Sequence, residues 1–144
     1  MLTYRCSDIK DYIDLANILL EEAEINLVSK FADFYAAQND GREIQDEVIV
    51  SIWQGLNDTH TIFIDMMKFY LELQDKPELN YEELEEYKQE VYSSFEGFVF
   101  NLINSNREEY FYGEHELPRV QGVYFGIHLV KDEIMPSMEI LIRN

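Results

Sequence analysis

The sequence predicts an α+β fold in which about four helices pack on a small antiparallel sheet. Over the N-terminal two thirds, apolar residues recur every three or four positions, which is the period of a helix face. In the C-terminal third they alternate with other residues, which is the period of a strand. No repeat, low-complexity tract or Gly/Ser linker divides the chain. We therefore expect a single acidic α+β domain spanning residues 1–144.

The first helix is preceded by an alternating segment, residues 2–6, that predicts an edge strand. From Ile9 the apolar residues follow the helical period toward Tyr35, and Gly41 is expected to stop the helix. This helix is long and amphipathic, with acidic residues opposite its apolar face.

Two further helices are expected before the middle of the chain. One runs from about Glu43 to Gly55, and the next begins at an Asn57/Asp58 cap and ends before Pro77. The expected buried face of the second consists of Ile62, Met66, Phe69, Tyr70 and Leu73.

The fourth helix is the most clearly bounded. Asn80 is an N-cap residue, and Glu83 three positions later completes the pattern of a capping box. The helix is expected to end near Asn104 and to bury Leu84, Tyr87, Val91, Phe95, Phe98 and Leu102.

The remaining residues predict a β-meander that forms most of the sheet. A short strand is expected at residues 110–112, and longer strands at residues 123–129 and 138–142. Residues 131–137 contain Pro136 and are expected to form the turn between the last two strands.

The charge of the chain limits its partners. It has 29 acidic and 11 basic residues and a formal net charge of -18, well outside the range of about 2 to 8 that suits a small soluble domain. Direct binding to nucleic acid or to an anionic membrane is therefore disfavoured. We expect a basic protein partner instead.

Cysteine usage and the N-terminus indicate the compartment. Cys6 is the single cysteine, so no intramolecular disulfide can form, and no signal-peptide pattern is present. The expected location is the cytoplasm.

No recognised catalytic, phosphate-binding or metal-binding motif is present. The histidines are His60, His115 and His128, and none has a known ligand spacing. His115 lies between Glu114 and Glu116, which leaves a metal site open as an alternative. We expect a protein without a cofactor that is not an enzyme.

Two blocks, residues 8–47 and 72–96, hold most of the acidic excess. On the fourth helix, Glu82–Glu86 and Glu86–Glu90 are like-charge pairs four residues apart, each of which costs a helix about 0.2–0.5 kcal/mol. Counting Glu83, Glu86 and Glu90 gives a charge roughly every 3.5 Å of helix axis, close to the spacing of phosphates on one DNA strand. If the first and fourth helices pack side by side, their outer faces form one negative surface.

Several tyrosines are expected to lie outside the core, where they can anchor a protein interface. The expected partner-binding residues are Asp11, Asp14, Glu21, Glu22, Glu82, Glu83, Glu86, Glu90, Tyr110 and Tyr112.

In size, charge and lack of a catalytic motif, the chain resembles the small acidic inhibitors that phages and mobile elements make against CRISPR effectors or restriction enzymes. Some of these imitate DNA. It resembles equally the immunity proteins that neutralise nuclease toxins. The resemblance implies an inhibitor that binds the basic nucleic-acid-binding surface of a nuclease or similar effector. An immunity protein, a small metal-dependent enzyme and a structural subunit remain alternatives, and an open sheet edge would allow a homodimer.

Overall fold

The computed structural model describes residues 2–26 and 46–143, and these are mostly helical, with 83% of them in helices and 8% in strands. Helix α1 spans Cys6–Ile25, α2 spans Asp46–Glu72 and α3 spans Tyr81–Ser105. The short helix α4 (Arg107–Tyr110) leads to α5 (Pro118–His128), a π-helical segment (Leu129–Ile134) and α6 (Met135–Arg143). Strands β1 (Thr3–Arg5) and β2 (Glu78–Asn80) form one two-stranded antiparallel sheet, and β3 (Phe111–Tyr112) and β4 (His115–Glu116) form another.

The predicted α+β class is wrong, because the C-terminal third folds as helix rather than as a meander. The segment is so rich in apolar residues that both periods can be read in it. The helical period is the one that is buried, with Val120, Val123, Val130, Ile134 and Met138 directed into the core. Only the short β3–β4 hairpin remains of the predicted C-terminal sheet.

Glycines allow helix α5 to pack very closely against α2. An added Cβ on Gly122 would lie 1.8 Å from the Ile52 carbonyl oxygen, and one on Gly55 would lie 1.9 Å from the Arg119 carbonyl oxygen. Gly126 is equally close to Thr59. The two backbones therefore approach as closely as the absence of these side chains permits.

Helix α2 is continuous where two helices were expected, so the predicted cap at Asn57 and Asp58 is wrong. Gly55 lies buried against α5, and the Asp58 carboxylate accepts hydrogen bonds from Arg119 instead of capping a helix. The Thr59 hydroxyl donates to the Leu56 carbonyl at 2.7 Å, so this polar group is also satisfied inside the helix.

The buried face of α2 also differs from the prediction. Phe63, Ile64 and Met67 are buried, whereas Phe69 and Leu73 are more than half exposed. The difference follows from the packing, because α2 contacts three neighbours, α1, α3 and α5, and is therefore buried on more than the one side that the pattern predicted.

The N-terminal prediction is confirmed in part. Strand β1 exists, but it pairs with β2, with Tyr4 opposite Leu79. Helix α1 buries Ile9, Tyr12 and Leu20 on the predicted face and ends at Ile25. Its predicted continuation toward Tyr35, the stop at Gly41 and the start of the second predicted helix at Glu43 lie outside the described residues.

The capping box that opens α3 is confirmed. The Glu83 backbone N–H donates to Asn80 Oδ1 at 2.9 Å, and the Asn80 backbone N–H donates to Glu83 Oε1 at 3.1 Å. The core-facing residues agree except for Phe98, which is more than half exposed.

The predicted turn at residues 131–137 is wrong, because this part of the chain continues the helix through a wider π turn. Pro136 lacks a backbone N–H and clashes with the preceding helical turn, which a π-helical segment directly before it can accommodate. The Ile134 carbonyl accepts hydrogen bonds from the Tyr12 and Ser137 hydroxyls, so α1 holds this segment in place.

Candidate functional site

The outer face of α1 carries four of the predicted partner-binding acids. All four are exposed, and within the described residues none forms an ion pair. Glu21 makes a long contact of 3.4 Å with the Asn17 side-chain amide, and that group is neutral. The carboxylates of this face are Asp11, Asp14, Glu21 and Glu22.

The outer face of α3 carries Glu82, Glu86 and Glu90, one helical turn apart. All three are exposed, and they too form no ion pair with any residue in the described ranges. We call them the α3 carboxylate row. Their spacing of four residues corresponds to an interval of roughly 6 Å along the helix axis between neighbouring carboxylates.

Glu83 belongs to a different environment from the carboxylate row. Besides completing the capping box, it forms an ion pair with Lys76. The hydrogen bond from Lys76, followed by the one from the Asn80 backbone, lowers the pKa of Glu83. This carboxylate therefore holds the start of α3 to the preceding loop and is not free for a partner.

Three further bases of the described chain pair with acids outside the predicted partner-binding set. Arg5 pairs with Asp8, Lys88 with Glu85, and Arg119 with both Asp58 and Glu109. None of these acids belongs to the α1 outer face or to the α3 carboxylate row. The ion pairs thus leave the predicted partner-binding acids uncompensated, apart from Glu83.

The two acidic faces do not join by direct packing. Helices α1 and α3 each pack against α2, and they are not packed side by side in the part of the chain that the structure describes. The condition for one continuous surface, that these two helices pack side by side, is therefore not met. The predicted acids lie on two helices that are each packed against α2.

Tyr110 was expected outside the core, and this expectation is wrong. Its side chain is fully buried, and its hydroxyl donates to Asp58 Oδ2 at 2.7 Å. The Arg119 guanidinium lies 4.9 Å from the centre of the Tyr110 ring and binds both oxygens of Asp58. Burial and the Asp58 carboxylate raise the pKa of Tyr110. The cluster of Tyr110, Asp58 and Arg119 therefore stabilises the packing of α4 and α5 against α2.

Tyr112, in contrast, is 79% exposed, on the β3–β4 hairpin. His115 and Glu116 lie on the other strand, and Glu116 accepts a hydrogen bond from the Tyr124 hydroxyl at 2.8 Å. That bond is the first cause of the raised pKa of Tyr124. In residues 2–26 and 46–143, no group of three or more His, Cys, Asp or Glu side chains is placed to hold a metal ion.

His60 is buried between α1 and α2. Its Nδ1 lies 2.9 Å from Glu24 Oε1, and its Nε2 lies 2.6 Å from Asn17 Oδ1. Both ring nitrogens are therefore used in holding the two helices together.

The Cys6 thiol also has a structural contact, because its Sγ donates a hydrogen bond to the Lys76 carbonyl. Burial, followed by the negative charge of Glu83, raises the pKa of this thiol.

Sequence reasoning did not predict a cavity between the C-terminal half of α1 and the π-helical segment. Its volume is about 200 Å³, and it is lined by Leu19, Glu22, Ala23, Asn26, Leu129, Glu133 and Ile134. We call it the Glu22–Glu133 pocket. Pro136 within a run of helical spacing was the signal available in the sequence, but we interpreted it as a turn.

A larger cleft of about 490 Å³ lies between β1, α1 and α6. Its charged lining residues include Arg5 and Asp8, which pair with each other at 3.1 Å, and Asp11, which forms no ion pair with a residue in the described ranges. Its opposite charges do not favour one class of ligand.

No protein-family model, no curated protein and no solved structure matches the chain. The candidate site therefore rests on the geometry and charge of this molecule. Among the described helices, none is both long and apolar enough to cross a membrane.

Proposed function

We propose that the protein is a non-enzymatic acidic inhibitor that binds the basic nucleic-acid-binding surface of a nuclease or of a CRISPR or restriction effector. One observation carries the proposal. The exposed acids of the α1 outer face and of the α3 carboxylate row have no basic partner in the described chain, although several bases are available and pair elsewhere.

Uncompensated surface charge has a physical consequence. It attracts a partner of opposite charge over several ångströms, and it speeds association in a way that salt weakens. It also destabilises the folded chain through self-repulsion. A binding role accounts for why the acids cluster on two outer faces.

The spacing of the charges favours electrostatic competition over a close copy of the DNA backbone. The α3 carboxylate row carries one charge per roughly 6 Å of axis, whereas one strand of DNA carries one phosphate per about 3.4 Å. The acids are also divided between two faces. We therefore propose that the protein competes with nucleic acid for a basic surface without matching it charge by charge.

An immunity protein against a nuclease toxin would use the same two faces and would differ in its target. A homodimer through β1, a metal-dependent enzyme and a structural subunit stay predictions that no contact described above favours.

The test is inhibition of DNA cleavage by a panel of purified restriction endonucleases and RNA-guided nucleases, measured at low and high salt. We expect at least one nuclease to be inhibited more strongly at low salt. The variant Glu82→Gln/Glu86→Gln/Glu90→Gln should weaken that inhibition about tenfold, since exposed charge pairs contribute modestly one by one.

The matched control is Asp65→Asn/Glu72→Gln/Glu114→Gln. It removes the same number of charges from exposed positions outside both acidic faces, and it should retain most of the inhibition. Equal losses in the two variants would show that only net charge matters, and inhibition of no nuclease in the panel would contradict the proposal.

A further inference from the structure

We propose that the Glu22–Glu133 pocket receives one lysine or arginine side chain of the basic protein partner. This inference rests on the proposed function and assigns one contact site for the partner, at the C-terminal half of α1. The pocket combines an apolar floor with a rim that carries two carboxylates.

The floor of the pocket comes from both elements that form it. Ala23 of α1 is buried, as are Leu129 and Ile134 of the π-helical segment. Glu22 and Glu133 are exposed and lie on opposite elements. Neither forms an ion pair with a residue of the described ranges.

The π turn is what creates this arrangement. Residues five apart are hydrogen-bonded neighbours in a π-helix, whereas in an α-helix they lie on different sides. Leu129 and Ile134 are five apart, and the wider turn brings both to the wall that faces α1, together with Glu133. π-helical turns inside α-helices occur frequently at functional sites.

The size and chemistry of the pocket select its occupant. A volume of about 200 Å³ exceeds that of a few water molecules and is smaller than a typical small-molecule site. A lysine or arginine side chain has a long apolar stem and a charged end. The stem matches the apolar floor, and the charged end would reach the Glu22 and Glu133 carboxylates at the rim.

The test is an NMR titration with n-butylguanidinium, which carries the stem and the charged end of arginine. We expect saturable shift changes at the amides of Ala23, Asn26, Glu133 and Ile134, with affinity in the millimolar range, as suits a ligand of about eight non-hydrogen atoms. The neutral alcohol 1-pentanol should bind more weakly at the same amides. Shift changes spread evenly over all acidic residues, without saturation, would overturn the proposal.

The variant Glu22→Gln/Glu133→Gln should weaken binding of n-butylguanidinium about fivefold. The matched control Asp65→Asn/Glu72→Gln removes two charges from the exposed face of α2, where neither residue lines the pocket, and should leave the affinity within about twofold. An equal loss in the two variants would also overturn the proposal.

This test separates failure of the pocket from failure of the function. If nuclease inhibition depends on the α3 carboxylate row but n-butylguanidinium does not bind the pocket, the anchor is wrong and the inhibitor function stands. If n-butylguanidinium binds the pocket but no nuclease is inhibited, the site for a cationic side chain stands and the inhibitor function is wrong.

Discussion

The contact between α2 and α5 and the outer face of α3 both contain glycines within helices, but these glycines have opposite surroundings. At Gly55, Gly122 and Gly126 an added Cβ would lie within 2 Å of an atom of the other helix. At Gly97, on α3, an added Cβ would meet no atom within 4 Å. Steric fit determines how closely α2 and α5 pack, whereas the surface of α3 around Gly97 has room for an added side chain.

This difference shows which of these glycines can be substituted without disrupting the fold. Glycine inside a helix costs stability relative to alanine in both regions. Between α2 and α5 the close backbone approach compensates for that cost. On α3 nothing inside the described chain compensates for it, nor for the like charges of the carboxylate row.

The largest effect is expected from Gly122→Ala. The new methyl group would meet the Ile52 carbonyl oxygen, a backbone atom that cannot move to another rotamer. The free energy of unfolding should fall by about 3 kcal/mol or more, as in severe overpacking of a core. Urea unfolding followed by circular dichroism would measure it.

Gly97→Ala is the matched control, because it makes the same chemical change on the open helix. It should raise the free energy of unfolding by about 0.5–1 kcal/mol through helix propensity alone. Similar effects of the two substitutions would mean that α2 and α5 do not approach as closely as described.

A smaller effect is expected from Glu83→Gln, and it should depend on pH. The pKa of Glu83 is lowered by Lys76 and the Asn80 backbone. Its ion pair therefore stabilises the fold above the pKa of an unfolded glutamate, and this stability is lost as pH falls through the lowered value. The difference in stability between wild type and variant should be full at neutral pH and should vanish in acid.

Glu82→Gln provides the comparison for this measurement, since Glu82 is exposed and forms no ion pair in the described chain. It should not show the loss of stability at neutral pH that Glu83→Gln shows. Identical pH profiles for the two variants would count against the Lys76–Glu83 pair.

The features that sequence predicted correctly are local ones. The capping box of α3 depends on residues three positions apart, and the acidic outer faces follow from helical spacing. The α2–α5 contact depends on glycines about seventy residues apart in the sequence, so no local pattern indicates it. Tyr110 was misplaced for the same reason, because its partners Asp58 and Arg119 meet only in the folded chain.

The central claim is that no base in the described part of the chain neutralises the α3 carboxylate row, and Glu86→Gln tests it most directly without knowledge of the partner. This substitution removes both like-charge pairs, Glu82–Glu86 and Glu86–Glu90, at once. At low salt the free energy of unfolding should rise by about 0.4–1 kcal/mol, and the gain should disappear near 1 M salt, where charges are screened within about 3 Å. A loss of stability at low salt would show that Glu86 is paired inside the fold and would contradict the account.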